Sequence, residues 1–543
     1  MKKIIITALI SAVALSGSAF AYDTPEHMIV GNNVTVPLPK GESASWMKLE
    51  PNVFRLKDNS PQSIPYFMLP TAEGRAAFPE GISYGAFNAL GGDYFAIADE
   101  TIGVGKTKQD RFLRAVDYAY YVLYNPNILV KKQSLDNNSQ MGTMLDDARN
   151  QSKEVAQELQ KEGHNNPHDL IIKGNKEISN LAFKVLGNEH YVDMMLHTED
   201  HTGKTAILAS NAVHLLAMEV AKKAAENKTG YFEIKGLKYQ ISVPYGVNGL
   251  AVAYEINAIG NHFLEDIFAS GHASSIYHQS MEYNAAAFPY NSLIMQYEHD
   301  EDNNFGINLY SKKYPYASSK GWVAYGDGRM FEKNNAKDLS ILQEALNDSV
   351  QEVYLAYKNQ HITPINDSQI TSLEPNVLLA TGVLKEGESP NGTIKLREHG
   401  TDQAAPLFYA NAIDKTIYAR EDLDHKSTSR ENYTYHKLTK ENTPIAFACE
   451  VYFANGFSPT LAMNNKNHSF SSEIFSNNSS AKLNSVISKV FNKQGTQANI
   501  SMNHDEDVKT ICSHWWRYNA NDFGVNPYSP MAIQSAIALT PAY

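Results

Sequence analysis

Five long stretches of the sequence repeat apolar residues every three or four positions, which is the spacing of one face of an amphipathic helix. They are Lys108–Tyr124, Met141–Gln160, Lys204–Ala225, Leu250–Phe268 and Lys337–Tyr357. Each is longer than the roughly 11 residues of an average globular helix. The pattern therefore predicts a mainly α domain that extends to about residue 360.

Two parts of this predicted domain lack helical periodicity. The segment Tyr22–Glu100 is rich in turn residues, with Pro and Gly spread throughout and few long periodic runs. The segment Tyr231–Ile241 alternates apolar and polar residues around a glycine, which indicates a hairpin or an extended excursion.

The character of the sequence changes after about Gln360. Segments such as Leu407–Ala419 and Ile445–Phe453 are short, aromatic and β-branched, with clusters of Gly, Asn and Ser between them. We therefore predict a mainly helical domain over residues 22–360, followed by a mixed, β-richer accessory domain over residues 361–543.

The first 21 residues have the features of a bacterial secretory signal peptide. Lys2 and Lys3 are followed by the apolar stretch Ile4–Leu15 and by Ala19-Phe20-Ala21, an A-x-A cleavage site. We expect the mature chain to begin near Tyr22 and to be secreted, either to the extracellular space or to the periplasm before release. No later stretch has the 18 continuous apolar residues of a membrane span, so the sequence predicts no transmembrane segment.

The charge and the residue types narrow the possible partners and metal ligands. The chain carries 47 Lys and Arg against 59 Asp and Glu, a net charge of −12, which argues against general affinity for nucleic acid or anionic membranes. With 2 cysteines and 18 histidines, any metal site must be built from His, Asp and Glu rather than Cys.

Both cysteines, Cys449 and Cys512, lie in the C-terminal part of the chain. In an exported protein two cysteines of one domain are expected to pair, and the loop closed would contribute roughly 4 kcal/mol through the unfolded state. We predict a stabilising disulfide; the alternative is two buried free thiols.

The segment Asn261–His272, NHFLEDIFASGH, has the clearest chemical signal. His262 and Asp266 are four residues apart on an apolar helix-forming segment, so their side chains share one face. Buried imidazole and carboxylate groups must be paired or bound to a metal, and both are zinc ligands. Gly271 is expected to end the helix and to let His272 turn back toward the same site. The alternative is a His–Asp hydrogen bond without metal.

This HxxxDxxxxxH pattern resembles the ligand motif of the zinc-dependent phospholipase C family, whose fold is related to that of P1-type nucleases. Further segments resemble the larger, two-domain bacterial branch of that family and occur in its order. They are Tyr84–Phe95, Glu199–His201, Asn261–His272, His299–Asn303 and Ala324–Arg329. The resemblance spans most of residues 22–360 and implies that family's helical fold.

The resemblance implies roles for five residues. Asp93, after Gly91 and Gly92, matches a bridging carboxylate that is also the candidate general base, and the glycines would allow a tight turn and a close backbone approach. The other matching metal ligands are His201, His262, Asp266 and His272. Nearby histidines compete with His201 for its role: His190, His197 and His214.

The remaining ligands are open between two groups. His299, with Asp300 and Asp302 as ligands or supporting acceptors, matches the larger branch better. His278 and Glu282 have the HxxxE spacing of the minimal enzymes but lie closer to His272 than the family places them.

His27 is a further expected ligand, by resemblance to a histidine near the mature N-terminus of the minimal enzymes. Those enzymes also use the backbone of an N-terminal tryptophan, where this chain has Tyr22. The resemblance thus implies two to three Zn²⁺ per chain.

The expected activity is hydrolysis of the glycerol-side phosphodiester bond of phospholipids, phosphatidylcholine first, at a membrane or micelle surface. Two alternatives stay open: a P1-type nuclease, and a non-catalytic, metal-stabilised protein that binds lipid or acts in adhesion. The sequence carries no signal for an oligomeric state.

Overall fold

A computed structural model describes the helical part of the chain and several C-terminal segments. The described residues are 23–39, 64–95, 100–129, 140–161, 167–186, 199–227, 230–274, 299, 302–303, 306–309, 322–326, 328–358, 408–411, 416–420, 435–439, 441–443, 445–446, 449 and 513–517. Several predictions lie outside them: the signal peptide at 1–21, the boundary at residue 360, and residues His190, His197, His278, Glu282, Asp300 and Cys512.

The described residues fall into two compact units. The helical unit takes those within 20–273 and 309–387, and the second unit takes those within 274–308 and 388–543.

The described residues are mainly helical, as predicted. The α-helices are α1 (Thr24–Asn32), α2 (Ala72–Ala77), α3 (Tyr84–Asp93), α4 (Lys108–Tyr124), α5 (Pro126–Leu129), α6 (Gln140–Leu159), α7 (His168–Leu186), α8 (Gly203–Glu226), α9 (Gly249–Asp266), α10 (Ser270–Ser274) and α11 (Ala336–Tyr357). Short 3₁₀ helices cover Glu199–His201, Lys333–Asn335 and Trp515–Arg517.

The strands are short. They are β1 (Tyr66–Phe67), β2 (Ile82–Ser83), β3 (Phe232–Lys235), β4 (Gln240–Val243), β5 (Ile307–Leu309), β6 (Trp322–Ala324), β7 (Phe408–Asn411), β8 (Thr416–Arg420) and β9 (Tyr435–Lys437). β1 pairs with β2 and β3 with β4, both antiparallel. The β3–β4 pair is the hairpin that the alternation over Tyr231–Ile241 indicated.

All five predicted helices are present as α4, α6, α8, α9 and α11, with ends that differ from the prediction by at most two residues. Their sequences carry their own start signals. The hydroxyl of Thr107 accepts the backbone N–H of Asp110 at the start of α4, and the side chain of Asn248 accepts those of Leu250 and Ala251 at the start of α9.

Helix α9 is the centre of the helical unit. All of its residues are buried, and it packs against α3, α8 and α11. A helix that is buried on every side has no solvent face, so its polar residues must find partners inside the protein. The candidate metal ligands His262 and Asp266 are two of these polar residues.

The expectation of a turn-rich segment over Tyr22–Glu100 needs a correction, because α1 and α3 lie within it. Every residue of α3 and all of α1 except Asn32 are buried. Helices α1 and α3 have only 9 and 10 residues and no exposed polar face, so neither offers the several turns of periodic apolar and polar residues by which the pattern identifies a helix.

Helices α1 and α3 cross at two glycines. A Cβ atom on Gly31 would lie 2.7 Å from Cα of Gly85, and one on Gly85 would lie 2.2 Å from the carbonyl oxygen of Met28. Both distances are too short for real atoms, so the crossing requires glycine on each helix. It brings α1 against the end of the core where the candidate ligands lie.

In the second unit, β7, β8 and β9 form an antiparallel sheet in that order. Tyr418 of β8 lies opposite Tyr409 of β7 on one side and Lys437 of β9 on the other. Cys449 is buried and disulfide-bonded. Among the described residues of either unit, no helix combines the length and apolarity needed to cross a bilayer.

Candidate metal centre

His262 and Asp266 lie one turn apart on α9, and both side chains are buried. Nε2 of His262 is 3.6 Å from Oδ2 of Asp266. The four-residue spacing therefore places imidazole and carboxylate on one face, as the sequence predicted. Helix α9 ends at Asp266, five residues before Gly271. The expectation that Gly271 ends this helix was therefore wrong.

Asp93, the last residue of α3, contacts the same histidine. Its Oδ1 lies 3.2 Å from Nε2 of His262. The preceding glycines form the last turn of α3 and not the tight turn that was expected. The expected close approach does occur, because a Cβ atom on Gly92 would lie 2.1 Å from the ring of His262. The Tyr118 hydroxyl, which lies 2.9 Å from the Gly91 carbonyl oxygen, holds this turn in place.

His201 reaches the cluster from the 3₁₀ helix that precedes α8. Its Nδ1 lies 2.8 Å from Oδ2 of Asp266 and 3.1 Å from Nε2 of His262. The neighbouring Asp200 anchors this segment, because its carboxylate accepts the backbone N–H groups of Ile102 and Gly103, each at 2.6 Å.

His214, a rival of His201 in the sequence, has another environment. It is buried, and it contacts Asn257 at 2.8 Å and Glu352 at 2.9 Å. Ser349 lies 3.2 Å from its Nδ1. These polar contacts join α8, α9 and α11 in the core, which is a structural role.

His27 of α1 is the most distant contributor in sequence. Its Nε2 lies 3.6 Å from Oδ1 of Asp266, and its Nδ1 lies 2.6 Å from Oε2 of Glu265. Oε1 of Glu265 in turn accepts a hydrogen bond from the Asn88 side chain at 2.5 Å. A carboxylate that binds one ring nitrogen of a histidine orients the other nitrogen toward a metal.

These side chains form two groups of candidate ligands that share one histidine. His27, His262 and Asp266 form the first, and Asp93, His201 and His262 form the second, with ligand atoms in each group within 4.8 Å of one another. Asp266 directs Oδ1 toward His27 and Oδ2 toward His201. Its carboxylate thus lies where it could bridge two cations.

His272, in α10, lies beside the second group. Its Nδ1 is 2.6 Å from the backbone carbonyl oxygen of His201. A carbonyl oxygen only accepts hydrogen bonds, so Nδ1 must carry the proton and Nε2 is the atom that could bind a metal. His272 therefore does turn back toward the site.

The remaining predicted ligands are not part of the two groups or lie outside the described residues. His299 and Asp302 are buried residues of the second unit, and Nε2 of His299 lies 3.2 Å from the side-chain nitrogen of Asn303. Neither belongs to the two groups, which both lie in the helical unit. Asp300, His278 and Glu282 are outside the described residues.

The electrostatics of the cluster without a metal are unfavourable. Burial raises the pKa of Asp93, although His262 and His201 oppose this shift. Burial also raises the pKa of Glu265 well above its ordinary value, with further contributions from Asp266 and Asp93. Burial alone would lower the pKa of His262, but Asp266 and Asp93 outweigh it and raise the pKa.

These directions have a common cause. Three carboxyl groups lie together in a part of the core that excludes water, and their charges repel one another. A divalent cation bound among these groups would offset this repulsion. The donor set of imidazoles and carboxylates fits such an ion, so the two groups could hold a metal.

The sequence did not identify Glu265 or Asn88 as part of this centre. The signal for Glu265 was its position beside Asp266, since two adjacent acidic residues on a helix-forming segment with apolar flanks need two partners. Asn88 lies on α3, for which the sequence predicted no helix, and nothing in the sequence distinguishes it.

Comparison of the chain with protein-family models, with curated proteins and with solved structures finds no match in any of the three.

Proposed function

We propose that this protein is an exported zinc-dependent phospholipase C. It would hydrolyse the glycerol-side phosphodiester bond of phospholipids, phosphatidylcholine first, and release diacylglycerol and the phosphorylated headgroup. One observation carries the proposal: two buried groups of candidate ligands share His262, and Asp266 directs one oxygen to each. Adjacent metal positions of this kind suit the in-line displacement at a phosphate.

The residues that would hold the metals follow from the contacts. His27, His262 and Asp266 would hold one ion, and Asp93, His201 and Asp266 would hold another, with Nε2 of His272 beside it. Bound there, zinc supplies Lewis-acid activation of water and neutralises charge on the phosphate oxygens. Two ions are our proposal for the helical unit, and a third would need ligands beyond these groups.

Asp93 would act on the attacking water. Its Oδ2 accepts a hydrogen bond from the Thr24 hydroxyl at 3.4 Å, while Oδ1 faces His262, so the carboxylate is held in one orientation. A proton from the water would pass to Asp93 as the water oxygen bonds to phosphorus. The bond from phosphorus to the glycerol oxygen breaks, and that oxygen takes up a proton to leave as diacylglycerol.

The proposal extends to the rest of the chain. The first 21 residues would direct export. Residues 22–360 would form the catalytic domain and residues 361–543 a β-richer accessory domain with a Cys449–Cys512 disulfide. His299, with Asp300 and Asp302, stays our preferred further ligand group over His278 and Glu282.

The test is release of phosphocholine from phosphatidylcholine vesicles by the purified protein, with metal content measured by elemental analysis. We expect about two zinc ions per chain, loss of release after chelation and recovery on adding Zn²⁺. Bound zinc without release from any phospholipid, but with cleavage of single-stranded nucleic acid, would favour the P1-type nuclease. A chain that binds no metal would contradict both enzyme functions.

Asp93→Asn separates an enzyme from a lipid-binding protein. We expect turnover to fall by about three orders of magnitude or more, while the circular dichroism spectrum is unchanged. Asp146→Asn is the matched control, because Asp146 is an exposed carboxylate on α6 of the same unit. A protein that only binds lipid would keep its vesicle affinity in both variants and would show no turnover to lose.

A further inference from the structure

The β3–β4 hairpin carries a patch of exposed hydrophobic side chains. Five large hydrophobic side chains are exposed among the described residues, and four of them belong to this hairpin and its flanks. The four are Tyr231 (45% exposed), Leu237 (47%), Tyr239 (41%) and Tyr245 (75%), called the hairpin patch below. Tyr231 and Tyr245 lie at the ends of the two strands with ring centroids 6.2 Å apart, and Leu237 and Tyr239 lie in the turn. A concentration of exposed apolar groups on one hairpin is typical of an interaction surface.

The patch is held rigidly. Both oxygens of the buried Asp117 carboxylate accept backbone N–H groups of the hairpin turn, from Tyr239 at 2.8 Å and from Lys238 at 2.9 Å. The ring of Tyr239 stacks on Tyr120 of α4 with centroids 4.6 Å apart. The inward-facing Phe232, Ile234, Ile241 and Val243 are buried. The hairpin therefore presents its outer side chains in a fixed arrangement.

The chemistry of the patch fits a lipid headgroup region better than a dry protein interface. Three of its four side chains are tyrosines, whose rings can enter the acyl boundary while their hydroxyls stay hydrated. Lys235 and Lys238 lie in the same hairpin with Glu233 as the only acidic residue from 230 to 248, whereas the chain as a whole has a net charge of −12. The exposed cation of Lys235 complements the phosphates of a zwitterionic surface.

A series of contacts connects the hairpin to the candidate metal centre. Lys238 forms an ion pair with Glu100, at the start of the segment whose Ile102 and Gly103 bind the carboxylate of Asp200. Asp200 precedes the candidate ligand His201. A surface that touches the hairpin turn therefore lies beside the loop that supports the cluster.

We propose that the hairpin patch is the surface with which this protein docks on a zwitterionic phospholipid bilayer. This inference rests on the proposed phospholipase function, because it names the physical form in which the substrate is met. The docked hairpin would bury Tyr245 and Leu237 at the headgroup level and place the lipid phosphates near Lys235.

The test is co-sedimentation with phosphatidylcholine vesicles, in the Asp93→Asn background so that no lipid is consumed. Replacing Leu237 and Tyr245 together with serine should lower the partition coefficient by about tenfold or more, since both side chains lose apolar area to bury. Both are exposed, so the change leaves the core intact. Leu38→Ser is the matched control, because Leu38 is an exposed leucine of the same unit outside the hairpin.

Hydrolysis with Asp93 restored distinguishes this inference from the proposed function. The Leu237→Ser/Tyr245→Ser variant should lose activity on vesicles but keep activity on short-chain phosphatidylcholine below its micelle concentration. Sedimentation that depends on the patch supports docking even if neither substrate is hydrolysed. Equal sedimentation of the variant and the parent protein would overturn the docking proposal. The proposal would also be overturned if the parent protein did not sediment with vesicles but formed a dimer that the same substitutions converted to a monomer. The patch would then be an interface between two copies of the chain.

Discussion

Nδ1 of His27 lies 2.6 Å from Oε2 of Glu265, although 238 residues separate the two in sequence. Both side chains are wholly buried. The contact joins α1 to α9 and fixes the orientation of the His27 ring, so that its Nε2 faces Asp266. Glu265 is thus a positioning residue for one of the two groups of candidate ligands.

Glu265→Gln should weaken zinc binding at the group of His27, His262 and Asp266 by about 10- to 100-fold, because an amide orients the ring less firmly than a carboxylate. Binding at the other group should change less. Competition with a chromophoric chelator measures both affinities. Glu255→Gln makes the same change at a buried position of the same helix outside the cluster, and equal effects of the two variants would contradict the role of Glu265.

Gly92→Ala should disturb the cluster itself. The added methyl would lie 2.1 Å from the His262 ring, so either the ring or the end of α3 must move. We expect a loss of about 2 kcal/mol or more in the free energy of unfolding, together with loss of bound metal. Gly230→Ala, whose new methyl has no neighbour nearer than 3.6 Å, is the control. Urea unfolding of the two variants makes the comparison, and similar losses would show that the contact with His262 is not the cause.

Removal of the metal should destabilise the helical unit. A ligand that binds only the folded state contributes about 4 kcal/mol when its free concentration is a thousand times its Kd. In addition, the buried carboxyl groups of the metal-free cluster repel one another. Thermal unfolding with and without chelator should therefore show a lower melting temperature for the metal-free protein. An unchanged melting temperature would mean that the cluster holds no ion in solution.

Glu255 predicts a pH dependence of stability away from the metal centre. Its two carboxylate oxygens are buried on α9 with no hydrogen-bond partner among the described residues, and burial raises its pKa well above the ordinary value. The unfolded chain then loses this proton at a lower pH than the folded one. The stability due to Glu255 is complete below the unfolded pKa and is lost as the pH rises toward the folded pKa.

Glu255→Gln removes this titration. The melting temperature of the variant relative to the parent should therefore rise between about pH 4.5 and pH 8, the interval above the unfolded carboxyl pKa. Glu233→Gln, on the outer face of the hairpin, should show no such trend because Glu233 is exposed. A constant difference between Glu255→Gln and the parent would contradict a raised pKa.

The helices that the sequence predicted are long ones whose apolar residues recur at helical spacing over several turns, and the wholly buried α9 is among them. Helices α4 and α6 each combine a buried stripe with polar positions, and their ends follow from the sequence within one residue. Helix α3 has only 10 residues and is buried on every side, so its sequence shows no repeated alternation of apolar and polar positions. Its polar residues Asn88 and Asp93 read as members of a loop for that reason.

The candidate site divides in a similar way. His262 and Asp266 follow from spacing within one helix, which is a local property. The positions of His27 and His201 depend on how α1 and the 3₁₀ helix Glu199–His201 pack against α9. Only the family resemblance suggested these two histidines as ligands. The contact of His27 with Glu265 joins residues far apart in sequence, and no local pattern encodes it.

The crossing of α1 and α3 has a consequence for sequence conservation among related proteins. Gly31 and Gly85 leave no room for a methyl group between the two helices, and the same packing carries His27 to Asp266. In a related protein with a larger residue at either position, α1 would have to move. A histidine at position 27 would then no longer reach Asp266 and would not be kept by selection. Among chains descended from a common ancestor, these three positions should therefore be retained together or lost together, and a set of related sequences would reveal this without any further structure.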